Sequence, residues 1–323
     1  MQEYTEKIRQ LAKSMLVDGR VEMVMGFARG SLPMASVPFC AKTAEDCDKL
    51  VFDAYCGMNL ANYLTDRKET IAVVAKGCDS RSIANHIVEN KISREQLVII
   101  GVPCPGLIDK RKVVAAYDGD ITGVEETAEK VIVNGSAGKK ELARAAAADD
   151  CCAVCVHRNP VIYDELVGEE VPEQAPEDRY AMVEAVENMS DAERWQYFED
   201  LYVTCIRCYA CRNACPLCYC PTCFVDESSP QWVGKSQSEV DVRTFHFLRA
   251  YHCAGRCVDC GACVRACPMG INVRMLTKKL EKDCLELFDW ESGLSIEERP
   301  ALDTYSPDDP EKRAADDPEK IFK

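Results

Sequence analysis

An α/β domain with parallel strands, followed by a smaller α+β or helical domain built around cysteines, is the fold class this sequence predicts. Three observations carry the prediction. Two continuous apolar runs flank a helix-length segment between residues 71 and 102. Twelve of the 21 cysteines fall between Cys205 and Cys267. The length of 323 residues exceeds one small core and suits two domains, and an apolar fraction of 47% is enough to fill them.

Taken in chain order, Tyr4, Ile8, Leu11 and Met15 form one helical stripe over residues 4–17, and Gly19 supplies a stop. Val21 to Gly26 reads as a short strand. Ile71 to Ala75 is apolar throughout, as a strand buried on both faces must be. After a tight loop at Gly77-Cys78-Asp79, residues 80–91 read as a helix with Ile83 and Ile87 inward. Leu97 to Val102 is a second buried strand, closed by Pro103-Cys104-Pro105-Gly106. Strand, short helix and strand over about 30 residues form a βαβ unit, so these strands are expected to run parallel.

Residues 139–150 are alanine-rich and read as helix, ahead of a cysteine group at 151–155. The first domain is assigned to residues 1–166. A linker covers 167–189, where Pro172 and Pro176 stand among acids. Ser190 and Glu193 have capping-box spacing ahead of Trp195, Phe198, Leu201 and Tyr202, which predicts a helix feeding into Cys205. Residues 239–252 read as helix, and 274–289 as a closing helix on Leu276, Leu280, Leu285 and Leu287. The second domain is therefore 190–292. An acidic tail, 293–323, nearly repeats Asp308-Asp309-Pro310-Glu311-Lys312 at 316–320 and reads as a solvated end, with a docking segment as the alternative.

Composition excludes several functions. With 39 Lys and Arg against 54 Asp and Glu, the net charge of −15 opposes nucleic acid. No apolar run approaches the roughly 20 residues that span a bilayer. The first residues lack a charged-then-apolar export pattern, so a cytoplasmic chain is expected. Disulfides are rare in a reducing cytosol, so 21 cysteines point to metal or redox chemistry and to an anaerobic setting.

The cysteine spacing sharpens this. Cys205-x2-Cys208-x2-Cys211-x3-Cys215-Pro216 and Cys257-x2-Cys260-x2-Cys263-x3-Cys267-Pro268 are two complete ferredoxin-type runs. Three thiolates on a short loop wrap three corners of a cubane, and the fourth corner must be reached from elsewhere. In two-cluster ferredoxins the fourth Cys of each run ligates the other cluster. One [4Fe-4S] cluster is thus assigned to Cys205, Cys208, Cys211 and Cys267, and the other to Cys257, Cys260, Cys263 and Cys215. The second domain is then a dicluster ferredoxin-like module. Structural zinc also accepts four thiolates, but zinc sites usually use two separated Cys pairs.

Other cysteines are weaker candidates. Cys218, Cys220, Cys223 and Cys253 could hold a further metal or act as buried thiols beside the clusters. Cys78 and Cys104 each follow the carboxyl end of a predicted parallel strand, the edge where open α/β sheets bind ligands. With the Cys152-x2-Cys155 pair they make a candidate N-terminal cluster. Cys40, Cys47, Cys56, Cys151 and Cys284 read as ordinary thiols. His246 and His252 read as packing or surface residues rather than ligands, and His86 and His157 carry no catalytic context. There is no G-x-G-x-x-G fingerprint after a strand and no Walker loop, so no residue is assigned to a nucleotide or flavin.

The stretches Val74-Ala75-Lys76-Gly77-Cys78-Asp79-Ser80-Arg81 and Ile99-Ile100-Gly101-Val102-Pro103-Cys104-Pro105-Gly106 resemble the beta subunits of coenzyme F420-reducing (deazaflavin-reducing) hydrogenases and formate dehydrogenases. The run from Cys205 to Cys220 is similar to the formate dehydrogenase branch, and the likeness spans roughly residues 1–270. Ala254-Gly255-Arg256-Cys257-Val258-Asp259-Cys260-Gly261 also resembles iron-sulfur subunits that feed heterodisulfide-reductase-like complexes. The resemblance implies an α/β domain able to bind FAD beside a cluster, and a ferredoxin-like segment that carries electrons to a partner.

The expected function is an electron-transfer subunit of a larger oxidoreductase. It would relay electrons between a flavoprotein NAD(P)H or formate dehydrogenase partner and a heterodisulfide-reductase-like or hydrogenase partner. The alternatives are an FAD-containing catalytic subunit that acts on a deazaflavin or nicotinamide, and a zinc-binding structural scaffold.

Overall fold

The computed structural model describes residues 2–300 and 303, and the acidic repeat at 308–320 lies outside them. The chain divides into two compact units, one ending at Arg179 and one starting at Tyr180.

The first unit opens with helix α1, Gln2–Val17, which buries Ile8, Ala12 and Met15 on one stripe. It ends as glycine-capped helices do. Gly19 takes φ 67°, and the Arg20 N–H closes back on Met15 O at 3.0 Å. Strand β1, Met23–Arg29, begins two residues after the expected Val21. Strands β2, Ser36–Ala41, and β3, Leu50–Val51, pair with it antiparallel. Strand β4, Ile71–Ala75, is fully buried and lies parallel to β1, with Met23 opposite Ile71. Helix α2, Gly77–Val88, then leads to β5, Leu97–Gly101, parallel to β4 with Val73 opposite Ile99.

The βαβ unit is as expected, but the tight loop at Gly77-Cys78-Asp79 is not. Those residues are the first turn of α2. The Asp79 carboxylate accepts the Lys76 backbone N–H at 3.2 Å, so the helix is nucleated three residues early. Gly77 is required there for space, not for φ. A Cβ on it would sit 2.3 Å from His157 O and 2.9 Å from Asn159 O, both backbone atoms. Gly77→Ala is accordingly expected to cost about 1–3 kcal/mol by overpacking, read as a lower urea midpoint.

Helix α3, Lys110–Ala115, precedes an antiparallel meander of β6, Ile121–Glu126, β7, Lys130–Gly135, and β8, Gly138–Ala143. This corrects the alanine-rich helix read over 139–150. Only Arg144–Ala147, α4, and Asp150–Ala153, α5, are helical there. Gly135 and Gly138 turn the chain back on β7, and Gly138 takes φ 90°. Cross-strand pairing thus overrides the helical preference of Lys139, Lys140, Glu141 and Leu142, while residues 145–147 stay helical in α4. Strand β9, Glu165–Leu166, joins β5 in parallel and completes the main sheet in the order β2-β1-β4-β5-β9, with β3 against β1. Its core holds Phe27, Leu50, Ile71 and Ile99, and each such side chain contributes about 1.5–3 kcal/mol on burial.

The second unit is helical. No strand occurs among its described residues, so of the α+β or helical expectation only the helical form is present. Helix α6, Ala181–Glu187, lies within the stretch read as linker. Helix α7, Asp191–Tyr202, starts from the Ser190–Glu193 capping box. Two short helices, α8, Ala210–Asn213, and α10, Ala262–Ala266, pack on each other, separated in sequence by α9, Glu239–Tyr251. Helix α11, Met275–Phe288, packs on α9 and α6. Its leucines do not form the inner face. Leu287 is 53% exposed, and the buried face instead carries Thr277, Lys278, Glu281, Lys282 and Cys284. No described helix is long and apolar enough to cross a membrane.

Candidate metal centre

The two cysteine runs adopt one backbone twice. In the first loop Arg207 and Tyr209 take φ of 51° and 59°, and in the second Asp259 and Gly261 take 51° and 70°. These are the same two positions of each run, directly before and after its second cysteine, and three of the four residues are not glycine. Non-glycine residues hold this conformation only where the surroundings impose it. Each loop then enters a short helix, α8 or α10, that carries its third cysteine. Curling of this kind turns successive thiols and N–H groups toward one centre. The Arg207 N–H already donates to Cys205 Sγ at 3.4 Å.

The first run is delivered by α7, whose end is tied on by the Cys205 N–H donating to Tyr202 O at 2.9 Å. Cys211 and Cys267 join one group of buried side chains, Cys205, Cys223 and Cys263 pack against it partly buried, and Cys208 is exposed. Cys267 lies near Cys205 and Cys211, and Cys263 of the second run also lies near Cys211. Cys215 in turn acts electrostatically on Cys260 and Cys263. Burial pushes the Cys211 thiol up to about 11 and the Cys260 thiol up to about 12. Such thiols keep their protons until a metal displaces them. The donor set, all sulfur on paired loops, fits the cubane chemistry expected of these spacings.

A charged scaffold holds the second loop. The Asp259 carboxylate accepts two bonds from Arg274, both at 2.8 Å, and one ion pair from Lys278 at 2.9 Å. Burial opposes its ionisation, but Arg274 and Lys278 hold it well below the usual carboxylate range. Lys278 also pairs with Glu281 at 3.0 Å.

Two residues on α9 pack beside the first run, His246 in the packing role expected of it and Arg249 in one the sequence reading did not assign. His246 is buried, stacks on Tyr202 at 4.3 Å and places Nε2 3.3 Å from Cys205 Sγ. Burial, then the charges of Arg249 and Arg207, hold it neutral, with its pKa near 3. Arg249 escaped notice altogether. It is 3% exposed, donates to Cys211 O at 3.1 Å, and has the thiols of Cys263, Cys215 and Cys253 around it. The signal was available, because Val242, Phe245, His246 and Arg249 share one face at helical spacing.

The remaining candidates separate. Cys218 and Cys253 lie with Cys215, all three sulfurs within 4.8 Å of one another. Cys220 is exposed, and Cys223 bonds Arg212. In the first unit, Cys78 sits in the first turn of α2 and Cys104 just beyond β5, where its N–H donates to Arg158 O at 3.0 Å. A Cβ on Gly106 would lie 3.4 Å from the Cys152 Cβ, and the Cys155 N–H donates to Cys152 O at 3.4 Å. Val161 N–H donates to Ser80 Oγ at 2.9 Å, which lays the 152–161 stretch over the carboxyl ends of β4 and β5. Cys78 and Cys104 thus both lie near the ammonium of Lys76 at the carboxyl edge of the sheet, and Cys152 lies beside Gly106. Beneath them Lys76 is buried, bonded to Asp79 at 2.7 Å and Met58 O at 3.1 Å. Cys151, read as ordinary, groups with Asp149 and Cys152, and its thiol donates to Asp149 at 2.9 Å.

Beside Gly106 and Cys152 opens a cleft of about 2150 Å³, whose walls include Arg29, Arg144 and Arg158. It exceeds the roughly 300–1,000 Å³ of a typical small-molecule pocket.

No protein-family model matches the chain. It is 25% identical to the F420-dependent formate dehydrogenase subunit beta of Methanocaldococcus jannaschii, over 86% of this chain and 87% of that one. It is 24% identical to F420-dependent formate dehydrogenase 1 subunit beta of Methanococcus maripaludis, over 91% and 92%. Among solved structures, the xenon-derivatised F420-reducing [NiFe] hydrogenase complex from Methanosarcina barkeri matches 48% of this chain and 58% of that one, with 15% identity and a TM-score of 0.37, too low to bear on the fold.

Proposed function

For a chain that is a relative, over most of its length, of F420-dependent formate dehydrogenase beta subunits, we propose an electron-relay role within an oxidoreductase complex. The second unit holds two [4Fe-4S] clusters, one on Cys205, Cys208, Cys211 and Cys267, the other on Cys257, Cys260, Cys263 and Cys215. Electrons pass between a flavoprotein or formate dehydrogenase partner and a heterodisulfide-reductase-like or hydrogenase partner. When bound, the clusters supply one-electron chemistry. The chain's own residues position their ligands, exclude water and place charge beside them. The observation that carries this reading is the doubled loop, with the same left-handed residues around both runs.

Anaerobically purified protein is expected to contain at least about eight irons, four for each cubane. Zinc in their place would end the reading. Cys78, Cys104, Cys152 and Cys155 are proposed as the ligands of a third cluster, which would raise the count by about four.

Arg249 supplies a fixed positive charge beside both runs and so favours the reduced, more negative clusters. Arg249→Met should shift their reduction about tenfold, or 59 mV for a one-electron couple, to lower potential in an EPR-monitored titration.

The cleft of the first unit supports a second reading, a catalytic flavin subunit acting on a deazaflavin or nicotinamide. FAD retained by the isolated chain and reduced by such a donor would favour it. Electron transfer by flavin-free protein would reject it.

A further inference from the structure

Within the second unit, the tightest thiol group among the described residues is a trio that spans both runs' surroundings. The sulfurs of Cys215, Cys218 and Cys253 all lie within 4.8 Å of one another. Two come from a single turn, Cys215-Pro216-Leu217-Cys218, closed by the Cys218 N–H on Cys215 O at 3.1 Å. The third follows the end of α9, where the buried Cys253 donates its N–H to Ala250 O at 2.9 Å.

The spacing discriminates between metals. A single ion with bonds of about 2.3 Å in tetrahedral geometry holds its thiolates roughly 3.8 Å apart. The trio needs to close by no more than about 1 Å to reach that geometry. A four-iron cubane spreads its corners wider, and no other all-cysteine trio among the described residues is this compact. Charge fits as well. Three thiolates on a divalent ion leave one net negative charge, and the buried guanidinium of Arg249 stands beside Cys215 and Cys253 with its Nε unpartnered.

We propose that Cys215, Cys218 and Cys253 bind one thiophilic divalent ion, Zn²⁺ or Fe²⁺, separate from the cubanes. Three protein ligands leave its fourth position open. Cys215 is also the fourth corner assigned to the second cubane, and a thiolate sulfur has the lone pairs to bridge two metals. The ion therefore abuts that cubane. The bridge rests on the two-cubane reading, whereas the Cys218 and Cys253 bonds do not.

The test uses the full chain, purified without oxygen, loaded with Zn²⁺ alone and freed of loose metal by a chelator. The expected result is one retained zinc, with three sulfur neighbours at the zinc X-ray absorption edge. Cys218→Ser and Cys253→Ser should each lower retained zinc at least about tenfold, with the iron content of the parent. Zinc unchanged in both variants overturns the proposal. Loss of about four irons in either variant also overturns it, since that thiol is then a cubane corner. Should the variants fail to fold, the absorption edge of the unmodified chain decides, and zinc bound only by nitrogen and oxygen overturns the site. Zinc on three sulfurs in protein with fewer than about eight irons would sink the two-cubane reading and leave the ion site standing.

Discussion

Cys211→Ala is expected to remove about four irons per chain and to stop electron transfer through the second unit. The residue lies on α8 among packed side chains, 7% exposed, and Cys267 shares that packing from the other run. Alanine there would remove the proposed corner ligand at a site that water reaches poorly. The neighbouring Cys208 is exposed and already assigned to its own corner. Iron analysis and EPR of the reduced protein read the effect. Cys284→Ala is the control: that thiol is buried on α11 as a small apolar group, and iron should stay at the parental level. Unchanged iron in both variants would show the ligand assignment to be wrong.

The largest expected loss of stability is at Asp259. Its carboxylate is the shared partner of Arg274 and Lys278, whose side chains are 5% and 2% exposed. Asp259→Ala leaves Lys278 its bond to Glu281 but removes both carboxylate bonds of the buried Arg274 guanidinium. Removing one partner of a buried pair costs about 3–5 kcal/mol. The urea midpoint of the second unit, followed by helical circular dichroism under anaerobic conditions, should fall accordingly with an unchanged slope. A shift corresponding to less than about 1 kcal/mol would mean that solvent reaches the pair and screens it.

The parts of this molecule legible in the sequence are those that local chemistry dictates. The apolar runs at Ile71–Ala75 and Leu97–Gly101 could only be buried strands. Ser190 and Glu193 set the start of α7 without help from the rest of the fold. The cysteine spacing likewise marked both loops. What stayed hidden depends on distant partners. Residues 138–143 are a strand because β7 is there to pair with, and their composition favours helix. Helix α11 was recognised from its leucines, yet it buries Lys278, Lys282 and Glu281, because Asp259 and Glu187 wait on neighbouring segments. The grouping of Cys218 and Cys253 with Cys215, to the exclusion of Cys220, needed the end of α9 to be placed.

The left-handed residues bear on how the protein is assembled. Arg207, Tyr209 and Asp259 each hold a backbone that L-amino acids avoid at a cost of order 1–3 kcal/mol. A nascent chain gains nothing by winding these segments in advance, so the coils should tighten as iron arrives rather than before. With the proposed crossed ligands, filling one coil would bring in the last thiol of the other and thereby half-shape the next receptacle. Loading should then proceed as a concerted event, with singly filled chains scarce and metal-starved chains open to proteolysis at these bends.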